Sequence, residues 1–301
     1  MSGGHRAAEW LGFAAVTSHH RTRASWTARA VALGRAVGRG DLYDGLAERA
    51  LPRLVRPAVR GLRAAAALPG GRAAVAVGLG GLNVHAALRM HAVDAEVERA
   101  VLAGIRQVVV VGAGYDSRAW RLEALRGATV VEVDRPATQR RKRAAMADLT
   151  PLADVQFVAA DLAEDSLLLA LAPTSWDRQR PTLWVWEAVV PYLDDTAVRS
   201  TATGLAELSA PGSRLVMTFA HPVGGGGLAG AFVDGGARLA FEALGEPLRS
   251  SYDDWDITAL VTEAGFEDPV VTGASEWARA VGQDAPRLVF AAERLVTAAQ
   301  R

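Results

Sequence analysis

Two short apolar runs, Gln107 to Val111 and Ala128 to Val133, each end in residues suited to chemistry. The first leads into Gly112-Ala113-Gly114. The second ends at Asp134, 20 residues beyond Gly114. Glycines after a strand let the backbone turn tightly and approach a ligand, and the following helix start offers free N–H groups. A carboxylate at the end of the next strand is placed to accept from both hydroxyls of a ribose. Together these residues point to a nucleoside-containing cofactor and leave its identity open.

A dinucleotide loop has a third glycine three residues on, which allows close helix packing. Ser117 stands there, followed by Arg118, so a pyrophosphate is less well suited. S-adenosylmethionine has no phosphate, and its loop need only admit an amino-acid end and a ribose. A third run, Val155 to Ala159, leads to Asp161 and Leu162. Asp161 could accept from an adenine amino group, with Leu162 against the ring. The plainer alternative is a helix N-cap followed by a core residue.

The elements that must position these residues alternate from Gln107 onward. Strands are expected at Gln107–Val111, Ala128–Val133, Val155–Ala159, Thr182–Trp186 and Arg214–Phe219, with two more near Pro269–Thr272 and Leu288–Ala292. Helices are expected at Ser117–Leu125, from Pro136, at about Asp195–Leu208 and at Asp253–Glu263, the last ending at Gly265. Strand–helix alternation of this kind implies an α/β fold with a mostly parallel sheet covered on both faces. Residues 1 to about 105 read as helical, rich in Ala, Leu and Arg, with breaks at Gly38 to Asp41, Pro52, Pro57 and Pro69-Gly70-Gly71. His221 to Gly236 is a glycine-rich loop, suited to closing over a ligand or to a plain surface connection.

Composition narrows the class. Half of the 301 residues are hydrophobic and the formal net charge is zero, as in ordinary globular proteins. The absence of cysteine excludes disulfides, thiolate metal sites and thiol nucleophiles. Residues 1 to 150 carry 23 basic against 12 acidic residues, and the remainder 10 against 21. No nucleic-acid recognition module accompanies the basic half, so the two halves are read as neutralising each other. The six His are scattered without metal-ligand spacing. No signal-peptide layout opens the chain, and no run reaches the ~18 apolar residues of a membrane span. A cytoplasmic protein that contacts neither membrane nor nucleic acid is expected.

Four segments in order, GAGYDSRAWRL, VVEVDRP, AADL and WEAVVPYL, resemble the leucine carboxyl methyltransferase family, particularly its bacterial branch of natural-product and polyketide O-methyltransferases. The resemblance runs from about Trp26 to Pro222. TARAVALGRA at 27 to 36 is similar to the family's N-terminal helix. It implies a Rossmann-like class I methyltransferase sheet with an antiparallel last strand. A helical cap over residues 1–105 would precede a cofactor-binding domain over 106–301, with a lid insertion near 221–250. It implies S-adenosyl-L-methionine as cofactor. Arg89 would pair with the methionine carboxylate, Gly112 and Gly114 would line the loop, and Asp134 would hold the ribose. Asp161 and Leu162 would hold the adenine, and Glu187 would sit near the methionine amino group. Glu187 follows the apolar Leu183 to Trp186, where an unpaired carboxylate is costly and a cationic cofactor would satisfy it. Two positions depart from the pattern: Ala188 replaces the usual glycine, and Met90 follows Arg89 where threonine is common.

The methyl acceptor is expected to be a small acidic or phenolic molecule. A carboxylate is ionised at neutral pH, whereas a phenol, with pKa ~10, benefits from a base. His221 and Tyr192 are the candidate catalytic groups, with His19, His20 and Tyr115 as further polar groups near the mouth. Three alternatives stand beside this reading: a nicotinamide-dependent oxidoreductase, a repurposed cofactor-binding member, and a protein-carboxyl methyltransferase. The oligomeric state is left open.

Overall fold

The structure is a computed structural model that describes residues 26–37, 42–162, 165–222, 247–283 and 293–301. Its N-terminal part is helical: α1 (Trp26–Ala36), a 3-10 turn at Ala47–Ala50, α2 (Arg56–Ala66), α3 (Gly71–Gly78) and the long α4 (Leu82–Leu102). Pro57 lies in the first turn of α2, where its missing N–H is harmless, so it opens a helix. Gly70, at φ 70°, turns the chain into α3. The break expected at Gly38 to Asp41 lies outside the described residues.

Alternation then begins. The order is β1 (Gln107–Val111), α5 (Arg118–Arg121), β2 (Thr129–Asp134), α6 (Pro136–Met146), β3 (Asp154–Ala159), α7 (Leu167–Leu171) and β4 (Thr182–Trp186). After these come α8 (Asp195–Glu207), β5 (Arg214–Ala220), α9 (Asp254–Glu263), β6 (Glu267–Thr272), α10 (Ala274–Ala280) and β7 (Glu293–Ala299). The described strands form one sheet in the order β3-β2-β1-β4-β5-β7-β6. Strands β1 to β5 pair in parallel, and β7 runs antiparallel between β5 and β6.

Both faces of the sheet are apolar because side chains alternate along each strand. Val109, Val111, Trp184, Trp186, Leu215 and Met217 point to one face, against α8 and α9. Val108, Val110, Leu183, Val185 and Val216 point to the other, against Leu88, Val93 and Val97 of α4 and Trp277 of α10. The last helix of the N-terminal part thus covers the sheet directly, and this places Arg89 near the strand ends.

Two elements differ from expectation. The helix expected at Ser117–Leu125 stops after Arg121, because Leu122 is extended (φ −90°, ψ 105°) and a 3-10 turn follows at Glu123–Leu125. Leu122 and Leu125 are buried in the core cluster beneath α4. The edge strand β6 starts two residues early and is irregular between Glu267 and Val270, with Asp268 at φ 51°. Pro269 sits there, a position open to proline on an edge strand. The strand expected at Leu288–Ala292 lies outside the described residues, as do 223–246 of the glycine-rich segment; the last described strand is Glu293–Ala299. No single helix among the described residues is long and apolar enough to cross a membrane.

Candidate functional site

The parallel register brings the candidate residues to one edge of the sheet. Val111 pairs with Val133, Val110 with Val185, and Trp186 with Met217. The carboxyl ends of β1, β2, β4 and β5 therefore lie at one edge, with Asp134 as the last residue of β2 and Gly112 and Glu187 immediately beyond β1 and β4. Ligands of open α/β sheets bind at this edge.

The loop after β1 is shaped by its backbone. Gly112 has φ 71° and Gly114 φ 48°, the left-handed region that favours glycine. The N–H groups of Gly112 and Ala113 both donate to the Val133 carbonyl, at 2.8 and 3.0 Å. The Gly114 N–H donates to Oδ2 of Asp134, and the Arg135 N–H donates to its Oδ1 at 2.6 Å. Burial pushes the Asp134 carboxyl up, and these two N–H groups partly offset that. Each carboxylate oxygen keeps a further lone pair for a hydroxyl donor.

Glu187 lies at the centre of a buried charge network. Its Oε1 accepts from Arg89 Nε at 3.0 Å, and its Oε2 lies 2.7 Å from Arg118 Nη2. Burial pushes the Glu187 carboxyl up, but Arg118 and Arg89 outweigh it and hold the group below the usual carboxylate range. Arg118 also meets Asp94 at 2.6 Å and Asp116 at 2.5 Å. Burial opposes the Asp116 charge, yet Arg118 and Lys142 hold its carboxyl far below the usual range. Ser117 donates to Asp44 at 2.6 Å, while Arg35 donates to the Tyr115 carbonyl at 2.7 Å. The residue in the third-glycine position is therefore fully buried and spent on the N-terminal part of the chain.

Ala188 explains the family's preference for glycine. Its φ is 58°, and its N–H donates to Thr218 Oγ1 at 2.8 Å. The backbone must turn through the left-handed region to carry the chain from β4 into the 3-10 turn Val190–Tyr192.

Of the remaining expected residues, Asp161 and Leu162 follow β3 and are half-buried; Leu162 packs against the core. Tyr192 is half-buried at the end of its 3-10 turn. His221 follows β5, with Nδ1 2.9 Å from the Pro222 carbonyl and Nε2 3.7 Å from Asp254. The Tyr115 side chain is buried. His19 and His20 lie outside the described residues. A separate groove lined by Val37, Leu42, Ala66, Asn83, Val84 and Ala87 contains none of these groups.

Sequence reasoning missed Glu293. At the start of β7 it pairs with Arg89 Nη1 and accepts from Thr218 Oγ1 at 3.0 Å. Its register opposite Ala220 places it at the same sheet edge. No strand is expected at Glu293–Ala299 from the sequence, so nothing there marks Glu293. For Arg118, a basic residue directly after the glycine loop is the available signal.

A nucleoside-type carboxylate beside a buried pair of opposite charges suits a ligand with a ribose at one end and an amino acid at the other. Fold and site together define an open α/β protein with its candidate site at the carboxyl ends of the parallel strands. The profile of the leucine carboxyl methyltransferase family matches residues 24–206, and the chain belongs to that family. A protein of Mycobacterium bovis that bears the name S-adenosyl-L-methionine-dependent methyltransferase is 34% identical over 212 residues, 68% of this chain and 64% of its own length. A Mycobacterium leprae protein of the same naming is 37% identical over 177 residues, 58% of this chain and 55% of its own. The chain thus spans somewhat less than two thirds of these relatives. Among solved structures, a DUF574 family protein of Streptomyces avermitilis shares 20% identity at TM-score 0.62, covering 93% of this chain and 99% of that one. A protein of Thermobifida fusca described as a methyltransferase shares 21% identity at TM-score 0.56, covering 81% and 88%. At these identities the likeness is one of fold.

Proposed function

We propose that the protein transfers a methyl group from S-adenosyl-L-methionine to an oxygen of a small acidic or phenolic acceptor, as in natural-product biosynthesis. The observation that carries this reading is the buried Arg89–Glu187 pair at the same sheet edge as Asp134 and the Gly112–Gly114 loop. The residues suit the cofactor's groups. Arg89 Nη2 is buried without a partner among the described residues, and a carboxylate would satisfy it. Glu187 stays anionic and matches an ammonium. Asp134 retains lone pairs for ribose hydroxyls, and Asp161 with Leu162 is placed after β3 for an adenine.

When bound, the cofactor supplies an electrophilic methyl group on a sulfonium. The chain's part is binding, alignment and exclusion of water. Alignment for in-line displacement can supply up to about 10 kcal/mol of the barrier. His221 and Tyr192 would face the acceptor and serve only where it must lose a proton. The nicotinamide reading is the weaker one, since Ser117 stands in the third-glycine position and its hydroxyl is committed to Asp44.

Isothermal titration with S-adenosylhomocysteine and with NAD tests this. Binding of the first in the micromolar range and none of the second is expected. Asp134→Ala should abolish detectable binding, and retained wild-type affinity would break the ribose assignment. Mass spectrometry of carboxylates and phenols incubated with the enzyme then identifies the acceptor class.

A further inference from the structure

We infer that Glu293 is a positioning residue that sets the Arg89 guanidinium for the cofactor's amino-acid end. This rests on the methyltransferase reading above.

Two carboxylates grip different atoms of one guanidinium. Glu187 takes Nε at 3.0 Å and Glu293 takes Nη1. Together they fix the plane of the group and leave Nη2 as its one nitrogen without a partner among the described residues, although it is buried. A buried N–H without an acceptor costs about 1–3 kcal/mol, so the geometry reserves this nitrogen for an oxygen from outside the protein. Glu293 is itself held. Thr218 Oγ1 donates to its Oε1 at 3.0 Å, and His85 Nε2 lies 3.4 Å from its Oε2. Burial pushes the Glu293 carboxyl up, but Arg89 and His85 bring it down to about 2, so the clamp stays charged.

The clamp also reaches Glu187 from behind. Thr218 accepts the Ala188 N–H at 2.8 Å, so Glu293, Thr218, Ala188 and Glu187 form one chain around Arg89. With Glu293 neutralised, Arg89 is free to turn both its edges onto Glu187. That would hide the two groups an amino acid needs, the open guanidinium nitrogen and the remaining lone pairs of the Glu187 carboxylate. Neither Asp134 nor the Gly112–Gly114 loop belongs to this chain, so the nucleoside end of a ligand should not sense the change.

The test is isothermal titration of the full chain with two ligands, S-adenosylhomocysteine and 5′-methylthioadenosine, which lacks the amino-acid end. Glu293→Gln should weaken the first about tenfold or more and leave the second within about twofold. Thr218→Val should weaken the first about fivefold while Thr218→Ser, which keeps the hydroxyl, binds as wild type. If Glu293→Gln does not fold, the Thr218 pair decides alone. Equal losses for both ligands would show a merely structural role, and unchanged affinity for both would also overturn the inference while leaving the methyltransferase reading intact. A wild-type protein that binds neither ligand overturns that reading, and the inference with it.

Discussion

Gly112 packs directly on Val189: a Cβ added to Gly112 would lie 2.4 Å from Val189 Cγ2. The loop after β1 and the turn after β4 are thus in backbone-to-side-chain contact at the point where the ligand site opens. Gly112 is also at φ 71°, so the position excludes a side chain on two independent grounds. Gly112→Ala should destabilise the protein by about 2–3 kcal/mol, from left-handed strain of about 1–2 kcal/mol plus overpacking. Adding Val189→Ala removes the clash and leaves the strain, so the double variant should recover part of the loss in urea unfolding. A single variant as stable as wild type would refute the close packing.

Ala188 bears the opposite relation to its conformation. It holds φ 58° with a side chain, at a cost of about 1–2 kcal/mol. Glycine relieves this but loses about 0.5–1 kcal/mol through its freer unfolded chain. Ala188→Gly should therefore gain up to about 1 kcal/mol, raising Tm by about 2 °C for a chain of this size. Ala188→Val should lose at least as much. A drop in Tm for the glycine variant would show that the Ala188 methyl makes contacts worth more than the strain.

Much of the site was legible because it rests on local rules. Gly112, Gly114 and Asp134 are set by strand ends and a required turn, both visible as apolar runs followed by glycine or acid. Glu187 was legible because an acid at the end of a buried strand demands a partner. The pairing was not: Arg89 is marked only by the family resemblance, Arg118 and Glu293 come from α5 and β7, and only the tertiary fold shows which of 32 arginines meets which acid. The position of β7 was hidden for a simpler reason. Glu293–Ala299 is held by pairing to β5 and β6, while its own sequence, ERLVTAA, is weakly strand-forming. The helix from Ser117 was overextended because composition favoured it, whereas burial of Leu122 and Leu125 ended it.

Lys142, the one lysine of the chain, meets Glu132 at 2.5 Å with almost no exposure of either side chain. The ammonium also lies 5.5 Å from the centre of the Trp120 ring. Breaking such a pair from one side costs about 3–5 kcal/mol, whereas apolar replacement of both is often neutral. Lys142→Met should destabilise by that amount, and Glu132→Leu with Lys142→Met should restore most of it. Denaturant midpoints of the single and double variants check this; a Lys142→Met variant within about 1 kcal/mol of wild type would count against a charged pair.

The same pair predicts a pH dependence. Burial raises the Glu132 carboxyl from 4.5 to about 7, against the pull of Lys142. The folded state therefore holds this proton more tightly than the unfolded chain does. Its stabilising contribution is fully present below about pH 4.5 and is lost as pH rises through about 7. Relative to the apolar double variant, wild type should lose about 3 kcal/mol of unfolding free energy between pH 4.5 and pH 8. Comparing the two proteins cancels the titration of groups that do not touch the pair, and Asp116, which Arg118 and Lys142 hold far below the usual carboxylate range, stays ionised across this window. A difference that stays constant over that window, or one that runs the other way, would show that Glu132 is ionised throughout.

In the proposed reaction His221 would separate the two acceptor classes. It follows β5 at the sheet edge, with Asp254 3.7 Å from Nε2, and Asp254 is in turn paired with Arg294 at 2.7 Å. An imidazole with a carboxylate beside it can take a proton from a hydroxyl within reach, and general-base help of this kind is worth about 10²–10⁴-fold. A carboxylate acceptor is already ionised and needs no such help. His221→Ala should therefore lower kcat/KM for a phenolic acceptor by about 10²-fold or more, with the loss smaller at high pH where the phenol ionises by itself. With a carboxylate acceptor the same variant should keep its rate within about threefold. Equal losses with both acceptors would make His221 a binding group, and no loss with either would remove it from the site.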